Sequence, residues 1–212
     1  MKNFSVLLFS FLLGIVCQNI ILAQSGPAPG GGCTVSEWLQ AKSAAESAKD
    51  AALQARLIFD AAFNDAILKK NQAIAKREEA FQYLLPATNG PALNADPILV
   101  SEFVKLWDDG EEWMNQANQE LNWALTAWGT GNEKIAEGNQ RMVWAEESAS
   151  PPTPNYCNAK ARAEAAKILY DDAKKSFQDA SQSCVNAVSY FNIAIQNYKA
   201  AIKLCNDNGY YL

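Results

Sequence analysis

Histidine is absent from all 212 residues. That removes the usual general base near neutral pH, the commonest metal ligand, and every Ser–His or Cys–His pair. A basic excess is absent too: 18 Lys and Arg stand against 23 Asp and Glu, a formal charge of −5. Nucleic acid and anionic lipid both call for a basic footprint, so neither is an expected partner. No Cys-x-x-Cys pair occurs. Together with the missing histidine, this argues against a zinc-type ligand set, and no cofactor is expected. Bulky apolar side chains are scarcer than the 49% apolar content suggests, because much of that share is alanine. An alanine core must be long and closely packed, since the hydrophobic term scales with the area removed from water.

The one run of apolar residues stands at the start. Residues 1–23 read as a secretory signal peptide. Lys2 supplies the positive region, Val6 to Val16 the apolar stretch, and Ile21-Leu22-Ala23 a small residue for cleavage before Gln24. A lipoprotein signal with Cys17 as the lipidated residue is the rival, opposed by the large Val16 in front of it. Gln18 and Asn19 interrupt a segment already short for a retained anchor, and nothing later could span a bilayer. The mature protein is therefore expected to be exported (periplasmic or extracellular), where disulfides persist.

After a Gly/Pro leader, residues 24–35, the chain is organised by a seven-residue repeat. Over residues 156–205 one row reads Tyr156, Ala163, Tyr170, Phe177, Cys184, Phe191, Tyr198, Cys205. A second row is alanine throughout: Ala159, Ala166, Ala173, Ala180, Ala187, Ala194, Ala201. Rows three and four residues apart form a coiled-coil seam, and an unbroken repeat of this length specifies a long helix.

Two earlier stretches carry the same pattern. A first helix is expected over about 36–85, opened by a Thr34/Glu37 capping box and stopped by Pro86. Its rows hold Ala41, Ala48, Ala55, Ala62 and Trp38, Ala45, Ala52, Phe59, Ala66, Ala73, Ala80, with Leu53, Leu57, Ile58, Phe63, Ile67 and Ile74 widening the apolar face. A second helix is expected over about 97–147, with Asp96 as cap and Pro97 at its first position. Its bulky row runs from Val100 through Trp107, Met114, Leu121, Trp128 and Ile135 to Met142. Its small row reads Phe103, Gly110, Ala117, Ala124, Gly131, Gly138, Ala145. Three glycines in one row mark positions of close backbone approach, whereas Gly129-Thr130-Gly131 is the place for a kink. The expected fold is all-α: an elongated antiparallel three-helix coiled-coil bundle, up-down-up, over residues 36–205, with alanine/glycine seams and a tail at 206–212. Short loops should make consecutive helices antiparallel neighbours.

That topology sets Cys33 and Cys157 at one end, each just before a rising helix, and a disulfide between them is expected. Cys184 and Cys205 are 21 residues apart on one helix, about 31 Å by helical rise, too far to bridge. They read either as buried thiols in the seam or as bridges to another chain. A break near Ser181-Gln182-Ser183 would be a third way, but the repeat runs through it.

Asp108-Asp109-Gly110-Glu111-Glu112 lacks the alternating spacing of a calcium loop and falls mostly on an outer face. Two of the six tryptophans, Trp123 and Trp144, share an outward row whose other members are Glu102, Asp109, Gln116, Thr130 and Glu137. They are either covered by a neighbouring flank or the leader, or they form a docking stripe for a partner, a glycan or a second copy. The function expected is a non-enzymatic exported rod, structural or protein-binding and able to self-associate, with Trp123 and Trp144 as the contact. The alternative is a helical-bundle binding protein for a small apolar ligand; the small rows oppose it, since close axes leave little room, and an apolar pocket of a few hundred cubic ångströms between helices would favour it.

Overall fold

The computed structural model describes residues 32–89 and 96–209. The signal stretch, most of the leader and the last three residues of the tail lie outside the described residues. Three helices account for nearly all the rest: α1 (Val35–Asn89), α2 (Pro97–Ala149) and α3 (Tyr156–Asp207). No strand occurs among the described residues. The molecule is an all-α, up-down-up three-helix bundle, and each helix of 52 to 55 residues is about 80 Å long at 1.5 Å per residue.

The ends of the helices follow from capping chemistry. The Thr34 amide donates to Glu37 Oε2 at 2.8 Å, and the Glu37 amide donates back to Thr34 Oγ1 at 3.2 Å. Asp96 accepts from the Ile98 amide at 2.9 Å, with Pro97 behind it. Asn155 accepts from the Asn158 amide at 3.0 Å. Gly209, at φ 81°, takes the left-handed conformation just past α3. One boundary departs from expectation: α1 continues through Pro86 to Asn89. Proline removes a single ladder hydrogen bond, and here that loss falls within the last turn, where it ends nothing. In α2 the helix runs unbroken through Gly129-Thr130-Gly131, where the sequence offered a place for a kink.

The core is built around α3, which uses its two rows against two different partners. Its alanine row lies with the small row of α1, which runs parallel to it. Ala45 clusters with Ala166, Ala52 with Ala173, and Ala66 and Ala73 with Ala187 and Ala194. Its aromatic row lies against the small row of antiparallel α2, where Tyr198, Phe177 and Tyr170 cover Gly110, Gly131 and Gly138. The glycines thus admit aromatic rings rather than the bare backbone approach that the sequence suggested.

The backbones of α1 and α2 stay apart, although they are consecutive. The bulky row of α2 fills the space between them. Trp128 meets Phe59 with ring centroids 6.4 Å apart, and Trp107 meets Phe81 at 5.8 Å. This arrangement also corrects the expected width of the α1 core face. Phe63, Ile67 and Ile74 pack against the core, whereas Leu57 and Ile58 are exposed. Among the described residues neither α2 nor α3 covers these two side chains, and Ile58 stays open in a groove beside α3.

Candidate interaction surface

Local charge pairing and one covalent tie fix the rod's first end. Cys33 and Cys157 form a disulfide with Cα atoms 5.0 Å apart, linking positions separated by 124 residues. Beside it, Lys160 reaches Glu37 at 3.5 Å and Lys42 reaches Glu146 at 2.7 Å, so α1 is tied to both other helices. The Thr34 amide, and then Lys160, hold the Glu37 carboxyl below its ordinary value. Trp38 is buried here, as its seam position implied.

The other end is held by a polar cluster that the repeat did not show. Arg77 of α1 forms a two-pronged ion pair with Glu111 of α2, its Nη2 donating to Oε2 at 2.9 Å. Tyr198 of α3 donates its hydroxyl to Oε1 of the same carboxylate at 2.8 Å. The Arg77 guanidinium also lies 5.6 Å from the centre of the Trp107 ring. Glu111 belongs to the acidic run assigned mostly to the outer face, but one of its carboxylates is committed to the bundle. The repeat sets Glu111 beside Gly110 at the edge of the seam and Glu112 outermost, but it does not name the partners of Glu111, which are set by the register of the other two helices against α2.

Cys184 and Cys205 are free thiols within the core. Burial raises both, Cys184 to about 11, so neither is a thiolate near neutral pH. A bridge to another chain would require either sulfur to leave the seam. This placement matches the reading of both as small hydrophobes.

Trp123 and Trp144 lie on the outer face of α2 at 53% and 39% exposure. Their surroundings differ. Among the described residues, Trp123 has no ring or cation stacked on it. Trp144 is flanked by Arg141 at 5.5 Å and by Arg162 of α3 at 6.0 Å, and Arg162 also donates to the Trp144 carbonyl at 2.8 Å. The arginines leave part of the indole open while holding its orientation. Sequence reading placed both tryptophans correctly on the outer row but missed Arg162, which belongs to another helix.

Surface cavities among the described residues include two along the helix seams. A groove of about 540 Å³ runs between α1 and α3, with Ala51, Ala55, Ile58, Ala62 and Val185 among its walls. A smaller cleft of about 280 Å³ between α1 and α2 has Tyr170 and Met142 within it and Glu46, Lys49 and Glu146 around it. No group of three metal-ligating side chains converges among the described residues, and no described helix is long and apolar enough to cross a membrane. No family model, curated protein or solved structure matches this chain.

Proposed function

We propose that this protein is an exported, non-enzymatic rod that works by binding protein through the outer face of α2. The observation that carries this reading is the exposure of Trp123 and Trp144 on a row otherwise polar or charged. An indole left in water forgoes a large burial gain, and tryptophan and arginine are the residue types that most often carry binding energy. Export is supported by the Lys2-to-Ala23 pattern and by the Cys33–Cys157 disulfide, which suits an oxidising compartment. A non-enzymatic role is supported by the missing histidine and by the structural duty of Glu111.

The test is retention of the protein at the surface of the producing cell. Trp123→Ala and Trp144→Ala should each reduce retention while leaving the melting temperature near that of the parent. Unchanged retention in both variants would remove the basis for this reading.

The groove between α1 and α3 favours one second reading, the binding of a small apolar ligand. Its volume suits a drug-sized molecule, and Ile58 and Val185 in its walls are 65% and 52% exposed. An environment-sensitive apolar dye should bind the parent and lose affinity in Ile58→Lys. Equal dye binding in that variant would exclude the groove.

A further inference from the structure

We propose that the groove between α1 and α3 binds a free long-chain carboxylate, with its head group at Lys174 and its acyl chain along Ala55, Ile58, Ala62 and Val185. This rests on the reading of that groove as a ligand site and names the class of ligand. It does not depend on the α2 face.

The groove combines an apolar lining with a single charge. Ala51, Ala55, Ile58 and Ala62 of α1 line it together with Val185 of α3, and both Ile58 and Val185 are largely exposed. Lys174 is the one charged residue among those that line it. Among the described residues Lys174 has no ion-pair or hydrogen-bond partner. Asp171, one turn earlier, is already paired with Lys167 at 2.7 Å. Gln54 and Gln178 also line the groove and have no hydrogen-bond partner among the described residues. A carboxylate beside Lys174 therefore meets a cation and amide donors that nothing else uses.

The charge also gives the groove a direction. The two helices run parallel, and Ala52 clusters with Ala173, so Lys174 stands at the Ala51 and Gln54 end. Val185 stands at the Ala62 end. One turn beyond Ala62 on the same side of α1 comes Asp65, which is exposed and has no partner among the described residues. A carboxylate is attracted at the first end and repelled at the second.

Length and charge together select the ligand class. The lining covers residues 51–62 of α1 and 174–185 of α3, about 16 Å at 1.5 Å per residue, the length of an extended acyl chain of about twelve carbons. The volume of about 540 Å³ is ample for such a chain. A wholly apolar ligand would gain nothing from Lys174, Gln54 or Gln178. A lipid surface would call for several basic residues together, whereas one cation answers one head group, so the ligand is a free molecule.

The experiment is equilibrium dialysis of the purified, disulfide-intact protein against saturated straight-chain acids and the matching alcohols, below their micelle concentrations. Affinity for the acids should rise with chain length, by up to about fourfold for each fully buried CH₂. It should level off beyond about twelve carbons, where the chain outruns the lining. Decanoate should bind about two- to fivefold more tightly than decanol, as an exposed ion pair allows. That preference should vanish in Lys174→Gln and fade in high salt. Ile58→Gln should weaken acid and alcohol alike. No saturable binding of any acid, affinity that climbs without a break, or a preference that survives Lys174→Gln would overturn the proposal. If an apolar dye binds the parent and loses affinity in Ile58→Lys while no acid binds, the groove takes another class of ligand; this inference falls and the ligand-site reading stands. If neither dye nor acid binds, both fall. A parent dimer that Ile58→Lys separates, with no acid bound, would assign the groove to a second copy and overturn both.

Discussion

The ring of Tyr170 occupies the space that a side chain on Gly138 would need: a Cβ there would lie 2.6 Å from Cε1 of the ring. The residue after the glycine completes the fit, as Asn139 accepts the Tyr170 hydroxyl at 3.0 Å. Two turns of the repeat further along α3, the arrangement shifts. Phe177 covers Gly131, and with no hydroxyl to satisfy, Asn132 bonds its own helix at the Trp128 carbonyl. At Gly110 the tyrosine returns as Tyr198, and the acceptor returns as Glu111. The register of α2 against α3 is thus written twice, in ring size and in hydrogen bonding.

Gly131 and Gly129 should respond oppositely to the same change. A Cβ on Gly131 would stand 2.7 Å from the buried Phe177 ring, whereas one on Gly129 meets nothing within 4 Å. Gly131→Ala should destabilise by about 1–3 kcal/mol through overpacking, against a helix-propensity gain of ~1 kcal/mol. Gly129→Ala should stabilise by about 0.5–1 kcal/mol. Chemical denaturation of both variants checks the pair, and a Gly131→Ala protein as stable as Gly129→Ala would refute the ring-on-glycine fit.

The alanine row of α3 is buried along its seam with α1. Ala180 and Ala187 are fully buried. Either residue changed to Leu should cost about 1–3 kcal/mol. Variants with the parent's denaturation midpoint would mean that the α1–α3 seam is loose.

High pH should loosen the bundle through its tyrosines. Burial, and then the bond to Glu111, push the Tyr198 phenol well above its ordinary value; Arg77 opposes this more weakly. Burial, and then Glu46, raise Tyr170. Both hydroxyls are more reluctant to ionise folded than unfolded. Their contribution is therefore complete below the unfolded value of about 10 and is lost as pH rises through the folded values. Tyrosinate absorbance should show two groups that resist titration until the helical signal falls, and Tyr198→Phe should remove one of them. Simple titration of every tyrosine in the folded protein would contradict this.

Reduction should weaken the bundle without dissolving its helices. The Cys33–Cys157 bond closes a long loop, for which chain entropy allows up to ~4–5 kcal/mol. Thermal unfolding with a dithiol reductant should give a clearly lower midpoint and an unchanged helical spectrum at low temperature. A reductant-insensitive midpoint would show that the Trp38 cluster and the Lys160–Glu37 and Lys42–Glu146 pairs hold that end without the bridge.

Much of this fold was legible because seven-residue rows survive intact in three stretches and carry their own burial information. Both rows of α3 could be read directly, and the disulfide followed from topology and two cysteine positions. What could not be read was which row meets which helix. The alanine rows of α1 and α3 look alike in sequence whichever neighbour they face, and only three-dimensional register assigns the aromatic row to the glycines. Leu57 and Ile58 were misplaced for the same reason: an apolar position is buried only if a neighbour arrives. In the candidate surface, the outward row of Trp123 and Trp144 was visible from periodicity. Arg162 and the Arg77–Glu111–Tyr198 cluster join residues far apart in the chain, and no local pattern announces them.

The most direct test of the α2 contact face is hydroxyl-radical footprinting of the tryptophans, comparing the dilute purified protein with the protein where it is exported. In dilute solution Trp123 and Trp144 should oxidise readily and Trp38 should not. At the exported location Trp123 and Trp144 should be protected while Trp38 is unchanged. Equal oxidation of Trp123 and Trp144 in both settings would contradict the account.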